Sequence, residues 1–219
     1  MSKRYDVILF DLDGTLTDPG EGITNSVAYA LERYGAEVPE KQQLYKFIGP
    51  PLVSSFKQYC GFSHEKACEA VGVYREYFRE KGMFENEVYP GIPEMLQNLK
   101  KEGKRLIVAT SKPGPFSVRI LEHFGLAEYF EFVAASNMDE TRTEKWEVIE
   151  YALSSCGIDD LSRTVMVGDR EHDIMGAVKN KIGSIGVLYG YGSREELENA
   201  GAERIASSVG KLAGMLSEG

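Results

Sequence analysis

Short, continuous apolar runs alternate along the chain with segments whose apolar positions recur at helical spacing. Val7-Ile8-Leu9-Phe10 is such a run, ended by the turn signal Asp11-Leu12-Asp13-Gly14. A run of this length with no polar interruption predicts a strand buried on both faces of a parallel sheet. The pattern recurs at Leu106–Ala109, Phe132–Ala134, Val165–Val167 and Ile185–Leu188. Between these runs, Ile120, Leu121 and Phe124 mark a helix stopped by Gly125. Ile149, Ala152, Leu153 and Cys156 mark another, stopped by Gly157. Ile174, Ala177 and Val178 mark a third, ending near Gly183. Thr141-x-x-Glu144 and Ser193-x-x-Glu196 have the form of capping boxes and are expected to open helices. Strands alternating with helices predict an α/β, doubly wound parallel sheet covered on both faces.

Residues 18–88 break the alternation with helical signals alone. Ile23, Val27, Ala30, Leu31 and Tyr34 share one helical face; Leu52, Val53, Phe56 and Cys60 suggest a second; Ala67, Val71, Tyr74 and Phe78 fit a third. The segment is expected to be a small helical cap inserted into a core made of residues 1–17 and 89–219. Pro19-Gly20 and Pro90-Gly91 stand at the two crossings and suit a hinge.

Composition narrows the function. Against 25 Lys and Arg stand 34 Asp and Glu, a net charge of −9. Sequence-independent nucleic-acid binding rests on phosphate neutralisation, so no nucleic-acid partner is expected. Cys60, Cys68 and Cys156 match no metal spacing and read as thiols of a reducing compartment. No apolar run reaches the ~18 residues of a membrane span, and the run at Val7–Phe10 is too short for a signal-peptide core. A cytoplasmic protein is the expectation, with no membrane partner; monomer and dimer both remain open.

In doubly wound sheets, ligands bind beyond the carboxyl ends of the strands. Asp11 and Asp13 leave the first strand two residues apart, hence on the same side. Close carboxylates invite a hard divalent cation. Gly14 allows a sharp turn, with Thr15 beyond it. After the strand at Leu106 come Thr110 and Ser111, whose hydroxyls suit either a phosphoryl oxygen or a helix cap. After Val165–Val167 come Gly168 and Asp169, with Asp173 one helical turn on; His172 reads as a helix-surface residue. Lys145 falls in the first turn of the helix expected to start at Thr141. A cation there opposes the helix dipole by ~0.3–1 kcal/mol unless an anion lies nearby, so its removal is expected to stabilise slightly.

These residues resemble the motifs of the haloacid dehalogenase superfamily. Asp11-Leu12-Asp13-Gly14-Thr15-Leu16 is similar to its first motif in phosphatases, Thr110 to the second, Lys145 to the third, and Gly168-Asp169 with Asp173 to the fourth. Nearly the whole chain takes part, and the nearest resemblance is to phosphoglycolate phosphatases and 5′-nucleotidases. The resemblance implies a Rossmann-like core with a helical cap and a Mg²⁺-dependent phosphatase acting on a small phosphorylated metabolite. It makes Asp11 the nucleophile and Asp13 the general acid and base. Asp11, the Asp13 carbonyl and Asp169 would hold the metal, with the three acids Asp11, Asp13 and Asp169 converging. Thr110, Ser111, Lys145 and backbone near Leu12 would hold the phosphoryl group. Gly14, Thr15 and Asp173 would support the site, Asp173 by orienting Lys145 or water. Phosphoglycolate phosphatases place a Pro beside the third-motif Lys. Here Arg142-Thr143-Glu144-Lys145 has none, which makes Arg142 a rival cation.

In the cap, Gly49-Pro50-Pro51 is the expected substrate-facing loop; Phe47 and Phe56 are either base-stacking or core aromatics. A sugar-phosphate mutase, a phospho-accepting receiver domain and a catalytically inactive binding protein remain rival readings.

Overall fold

The structure is a computed structural model that describes residues 4–139 and 141–217. In chain order the elements are β1 (Val7–Phe10), β2 (Thr17–Asp18), α1 (Gly20–Arg33), α2 (Lys41–Leu44), α3 (Leu52–Cys60), α4 (His64–Tyr77) and β3 (Glu87–Val88). Then follow α5 (Ile92–Lys101), β4 (Arg105–Pro113), α6 (Gly114–His123), β5 (Phe132–Ser136), α7 (Lys145–Ser155) and β6 (Thr164–Gly168). The chain ends with α8 (Glu171–Lys179), β7 (Gly183–Val187), α9 (Arg194–Asn199), β8 (Arg204–Ala206) and α10 (Val209–Ser217). The chain divides into two compact units, Met1–Thr17 with Val88–Gly219, and Asp18–Glu87.

The first unit is an α/β fold. Its six strands are all parallel, in the order β5-β4-β1-β6-β7-β8. β1 lies in the middle, with Val7 opposite Arg105 on one side and Thr164 on the other. All four β1 residues are buried, as a strand covered on both faces requires. Side chains alternate across it. Val7 and Leu9 join Ile107, Ala109, Ala134 and Met166 in a core closed by Val148, Ile149 and Ala152 of α7 and Ala177 of α8. Ile8 and Phe10, which alternation turns to the opposite face, are fully buried too. Each such side chain is worth roughly 1.5–3 kcal/mol when removed from water. This rigid centre fixes where the end of β1 delivers its next residue.

Three local expectations need correction. The helix after Asn137 begins at Lys145 rather than at Thr141, with Glu144 as its N-cap and Glu147 completing the box. Thr141 instead closes a loop: its backbone N–H and hydroxyl both donate to Asp139 Oδ1, at 3.1 and 2.6 Å. α8 stops at Lys179, because Lys181 takes a left-handed backbone at φ 58°. Val178 lies off its buried face, at 56% exposure. The edge strand β8 has only three residues and carried no periodic signal.

The second unit is helical. α1 contributes Ile23, Val27, Ala30 and Leu31 to its core, and α4 contributes Ala67, Ala70, Val71 and Tyr74. A Cβ on Gly22 would lie 1.8 Å from the Gly82 carbonyl, so only glycine permits that approach. Phe47 and Phe56 are core, packed edge to face at 5.3 Å and almost wholly buried. In α3, only Ser55 and Phe56 are buried; Leu52, Val53 and Cys60 are half-buried. Gly49-Pro50-Pro51 leads into α3, with Pro51 at its N-cap. The chain crosses between units through β2 and β3, which pair with each other. Pro19 and Gly91 lie just beyond them, as N-cap residues of α1 and α5. No helix among the described residues is long and apolar enough to cross a membrane.

Candidate active site

Asp11 is the first residue past β1, and its N–H still donates to Val167 of β6 at 2.9 Å. The loop that follows is tightly wound. The Leu12 carbonyl accepts from the N–H groups of Thr15, Leu16 and Thr17, and Gly14 donates to Thr17 O at 2.7 Å. Gly14 adopts φ 81°, and a Cβ there would strike the Asp169 carboxylate at 2.2 Å. Glycine therefore lets the first-strand loop lie directly against the acid from β6.

Lys145, at the first position of α7, reaches into this cluster. Its Nζ donates to Asp11 Oδ1 at 2.7 Å and to the Ala109 carbonyl at 3.0 Å, and pairs with Asp173 Oδ1 at 2.8 Å. Burial pulls the Lys145 pKa down, but the charges of Asp11 and Asp173 outweigh it and raise it on balance. The two acids thus supply the anion that a cation at a helix start requires. Arg142 is elsewhere engaged. Its guanidinium donates to Ala135 O and Asn137 Oδ1 and lies 3.8 Å from the Tyr151 ring centre. Of the two rival cations, the structure brings Lys145 to Asp11.

Asp169 and Asp173 follow β6. Gly168, the last residue of β6, leaves room for the Asp173 side chain, since a Cβ there would lie 2.1 Å from Asp173 Cγ. Asp169 Oδ2 accepts from the Tyr191 N–H at 2.8 Å. Its other oxygen is buried with no hydrogen-bond partner among the described residues. Burial raises the Asp169 pKa well above its ordinary value, and the neighbouring charges of Asp173 and Asp11 add to this. Burial likewise raises Asp173, partly offset by Lys145. The Arg170 N–H donates to Asp173 Oδ2 at 3.1 Å.

The haloacid dehalogenase-like hydrolase family matches residues 8–187. The chain belongs to that family. It is 50% identical to a 5′-nucleotidase of Pseudomonas aeruginosa over 89% of this chain and 87% of that one. It is 39% identical to the tyrosine-protein kinase PtkA of Mycobacterium tuberculosis, over 88% of this chain and 65% of that one. A crystal structure described as a predicted phosphatase from Clostridium acetobutylicum superposes with a TM-score of 0.93. It shares 51% identity and covers 96% of this chain and 97% of its own. The chain is accordingly an enzyme, a hydrolase of the phosphatase kind.

Within this hydrolase, the carboxylates of Asp11 and Asp169 are joined by that of Asp173. Oxygens of Asp11, Asp169 and Asp173 all lie within 4.8 Å of one another. Asp13 turns its carboxylate to Lys112, which pairs with its Oδ2. Burial raises the Asp13 pKa, and Lys112 pulls it partly back. An all-oxygen set of buried carboxylates, one with an unpartnered oxygen, fits a hard cation such as Mg²⁺. Thr110 is buried at the end of the sheet, its Oγ1 accepting from the Lys112 N–H at 3.2 Å; Ser111 is half-buried beside it. Thr15 is fully buried, with its hydroxyl unpartnered among the described residues. His172 is half-buried on α8.

Two features escaped the sequence reading. One is Lys112. The other is Tyr189-Gly190-Tyr191-Gly192, beyond β7. The Tyr189 hydroxyl donates to Thr15 O at 3.1 Å. A Cβ on Gly190 would lie 2.3 Å from Gly14 O, and one on Gly192 would lie 1.9 Å from Asp169 O. This loop braces both the first-strand loop and Asp169. Two glycines spaced two apart after a buried strand were the available signal.

Proposed function

We propose that this hydrolase releases inorganic phosphate from small phosphomonoesters through an aspartyl-phosphate on Asp11. The observation that carries the reading is the setting of Asp11: a strand-end carboxylate with Lys145 on one oxygen and the Asp169 and Asp173 acids beside it. Lys145 fixes Oδ1, so the carboxylate is oriented for attack on phosphorus by its other oxygen. The Asp11–phosphorus bond forms as the ester P–O bond breaks, and the leaving oxygen takes a proton from Asp13. A water then gives its proton to Asp13 and attacks phosphorus, which frees Asp11 and phosphate. Splitting one displacement into two lowers each barrier, and proton transfer by Asp13 contributes roughly 10²–10⁴-fold.

Asp11, Asp169 and the Asp13 carbonyl would hold Mg²⁺, with Asp173 within reach. When bound, the cation offsets repulsion between the Asp11 carboxylate and the phosphate dianion. Thr110, Ser111, Lys145 and the backbone at Leu12 and Asp13 hold the phosphoryl oxygens, while Gly14 and Thr15 shape the loop. The second unit acts as a cap that selects the leaving group, with Gly49-Pro50-Pro51 as its specificity loop.

Substrates are of the nucleoside 5′-monophosphate or phosphoglycolate type, and the 50% identical 5′-nucleotidase favours the former. The test is phosphate release with Mg²⁺ over a panel of nucleoside monophosphates, phosphoglycolate, sugar phosphates and phosphotyrosine, the last because of the PtkA relative. Turnover of one class, abolished in Asp11→Asn with an unchanged circular dichroism spectrum, is expected. Full activity in that variant excludes the aspartyl-phosphate.

A further inference from the structure

We propose that Lys112 is a positioning residue that holds the Asp13 carboxylate for proton delivery to the leaving oxygen. This rests on the acid–base reading of Asp13 given above.

The pair is lopsided. Lys112 Nζ contacts Oδ2 of Asp13, while Oδ1 of Asp13 is buried and has no hydrogen-bond partner among the described residues. Both side chains are nearly covered, at 8% and 11% exposure. A buried ion pair is a poor source of stability, because desolvation cancels most of the attraction. A carboxylate with one oxygen left orphaned is poorer still. The arrangement suits another purpose: Lys112 anchors one oxygen and thereby fixes the plane and direction of the carboxylate.

The backbone of Lys112 is itself pinned. Its N–H donates to Thr110 Oγ1 at 3.2 Å, and its carbonyl accepts from Ser117 Oγ at 3.3 Å. The register of β4 against β5 shifts between Thr110 and Pro113, which marks an irregular strand end at this residue. The anchor is therefore carried by the same strand end as Thr110, and comes 99 positions after Asp13 in the chain. A fixed carboxylate presents its proton along one direction, so geometry rather than chance collision sets the transfer.

The experiment is a leaving-group series on the full chain with Mg²⁺: aryl and simple alkyl phosphates with uncharged leaving groups, read as kcat/KM. That quantity reports steps up to departure of the leaving group, so later hydrolysis of the phospho-enzyme does not enter. In Lys112→Met, kcat/KM should fall roughly 10²-fold for alkyl phosphates, which need the proton, and only a few-fold for nitrophenyl phosphate, which does not. Asp13→Asn should steepen the same plot in the same direction. Lys112→Arg should restore part of the loss. Lys112→Gln is run in parallel, so the result does not hang on one variant folding. An equal loss across the series, or a loss that tracks KM alone, overturns the proposal and makes Lys112 structural or substrate-binding. A steeper plot in Asp13→Asn with an unchanged plot in the Lys112 variants also overturns it. A flat response in Asp13→Asn shows instead that the acid–base reading of Asp13 has failed.

Discussion

The Lys145 ammonium and the Asp11 carboxylate, 134 positions apart in the chain, meet at 2.7 Å. Lys145 is the first residue of α7, where its charge opposes the helix dipole, yet it is buried against Asp11 and Asp173. Removing it strands two buried acids, which overrides the small gain expected from relieving the dipole. Lys145→Met should destabilise the fold by about 3–5 kcal/mol, read as the urea midpoint, and should cut kcat by roughly 10²-fold or more. Arg142→Ala, whose partners are Ala135 O, Asn137 and the Tyr151 ring, should leave kcat within a few-fold of wild type. The opposite ranking in paired assays would assign the third motif to Arg142.

Stability and function should part company at Asp169. Burial and neighbouring acids raise its pKa, so the folded state holds a proton that the unfolded state has released. The stabilisation is complete below the ordinary carboxylate range and is lost as pH rises through the raised folded value. Asp169→Asn mimics the protonated form. In chelator at pH 7 it should stabilise the fold by roughly 1–3 kcal/mol, with little gain at pH 4, while phosphate release disappears. Melting curves at both pH values check the sign; equal shifts at both rule out titration of Asp169 as the cause.

The proposed metal role, with Asp11, Asp169 and the Asp13 carbonyl as ligands and Asp173 within reach, predicts metal dependence. Chelation should stop turnover, and Mg²⁺ or Mn²⁺ should restore it. Ca²⁺ should inhibit, because its looser and higher coordination disturbs in-line geometry. Mg²⁺ at about 100 times its dissociation constant should add about 2.7 kcal/mol to the stability of the wild type, and nothing to Asp169→Asn. Undiminished activity after exhaustive chelation refutes the metal role.

Gly192→Ala tests the bracing loop. The new Cβ would lie 1.9 Å from the Asp169 carbonyl oxygen, which is backbone and cannot swing aside. The cost should be at least 1–3 kcal/mol, roughly that of overpacking a core, and Mg²⁺ activation should weaken with it. Gly210→Ala, with open space around it and no left-handed φ, supplies the control for a substitution that meets no neighbour. Equal effects of the two substitutions would show that contact with Asp169 is unimportant.

Substitution of Pro50 and Pro51 by Ala should change relative kcat/KM among phosphomonoesters more than it changes hydrolysis of a minimal aryl phosphate. A uniform slowing of every substrate would leave the loop with a role in stability only.

The strands and the acids at their ends were legible because each rests on a short-range rule. A four-residue apolar run is a buried strand, and a charged residue immediately after it stands at the carboxyl edge. Lys112 was not legible, because its partner Asp13 is set by the pairing of β1 with β4, not by local sequence. That the Asp173 carboxylate meets those of Asp11 and Asp169 was not legible for the same reason: it depends on the close approach at Gly168 and on the pairing of β1 with β6. Tyr189-Gly190-Tyr191-Gly192 carries no acid or cation, so charge alone does not reveal it. Thr141 misled because its hydroxyl found Asp139 before any helix N–H.

The sheet order has a kinetic meaning. β1 pairs with β4 on one side and β6 on the other, and the whole of Asp18–Glu87 is threaded between β1 and β4. Loop-closure entropy rises only as the logarithm of length, so that insertion slows closure modestly. Yet Asp11, Lys112 and Asp169 come together only after both long-range pairings form, and such non-local contacts are slow to assemble. Recovery of phosphatase activity after dilution from denaturant should therefore trail the return of helical signal, with no partly active species before it. A chain arrested before β6 docks would carry Asp11 and Asp13 without Asp169 and, under the proposed mechanism, would be chemically silent rather than indiscriminately reactive.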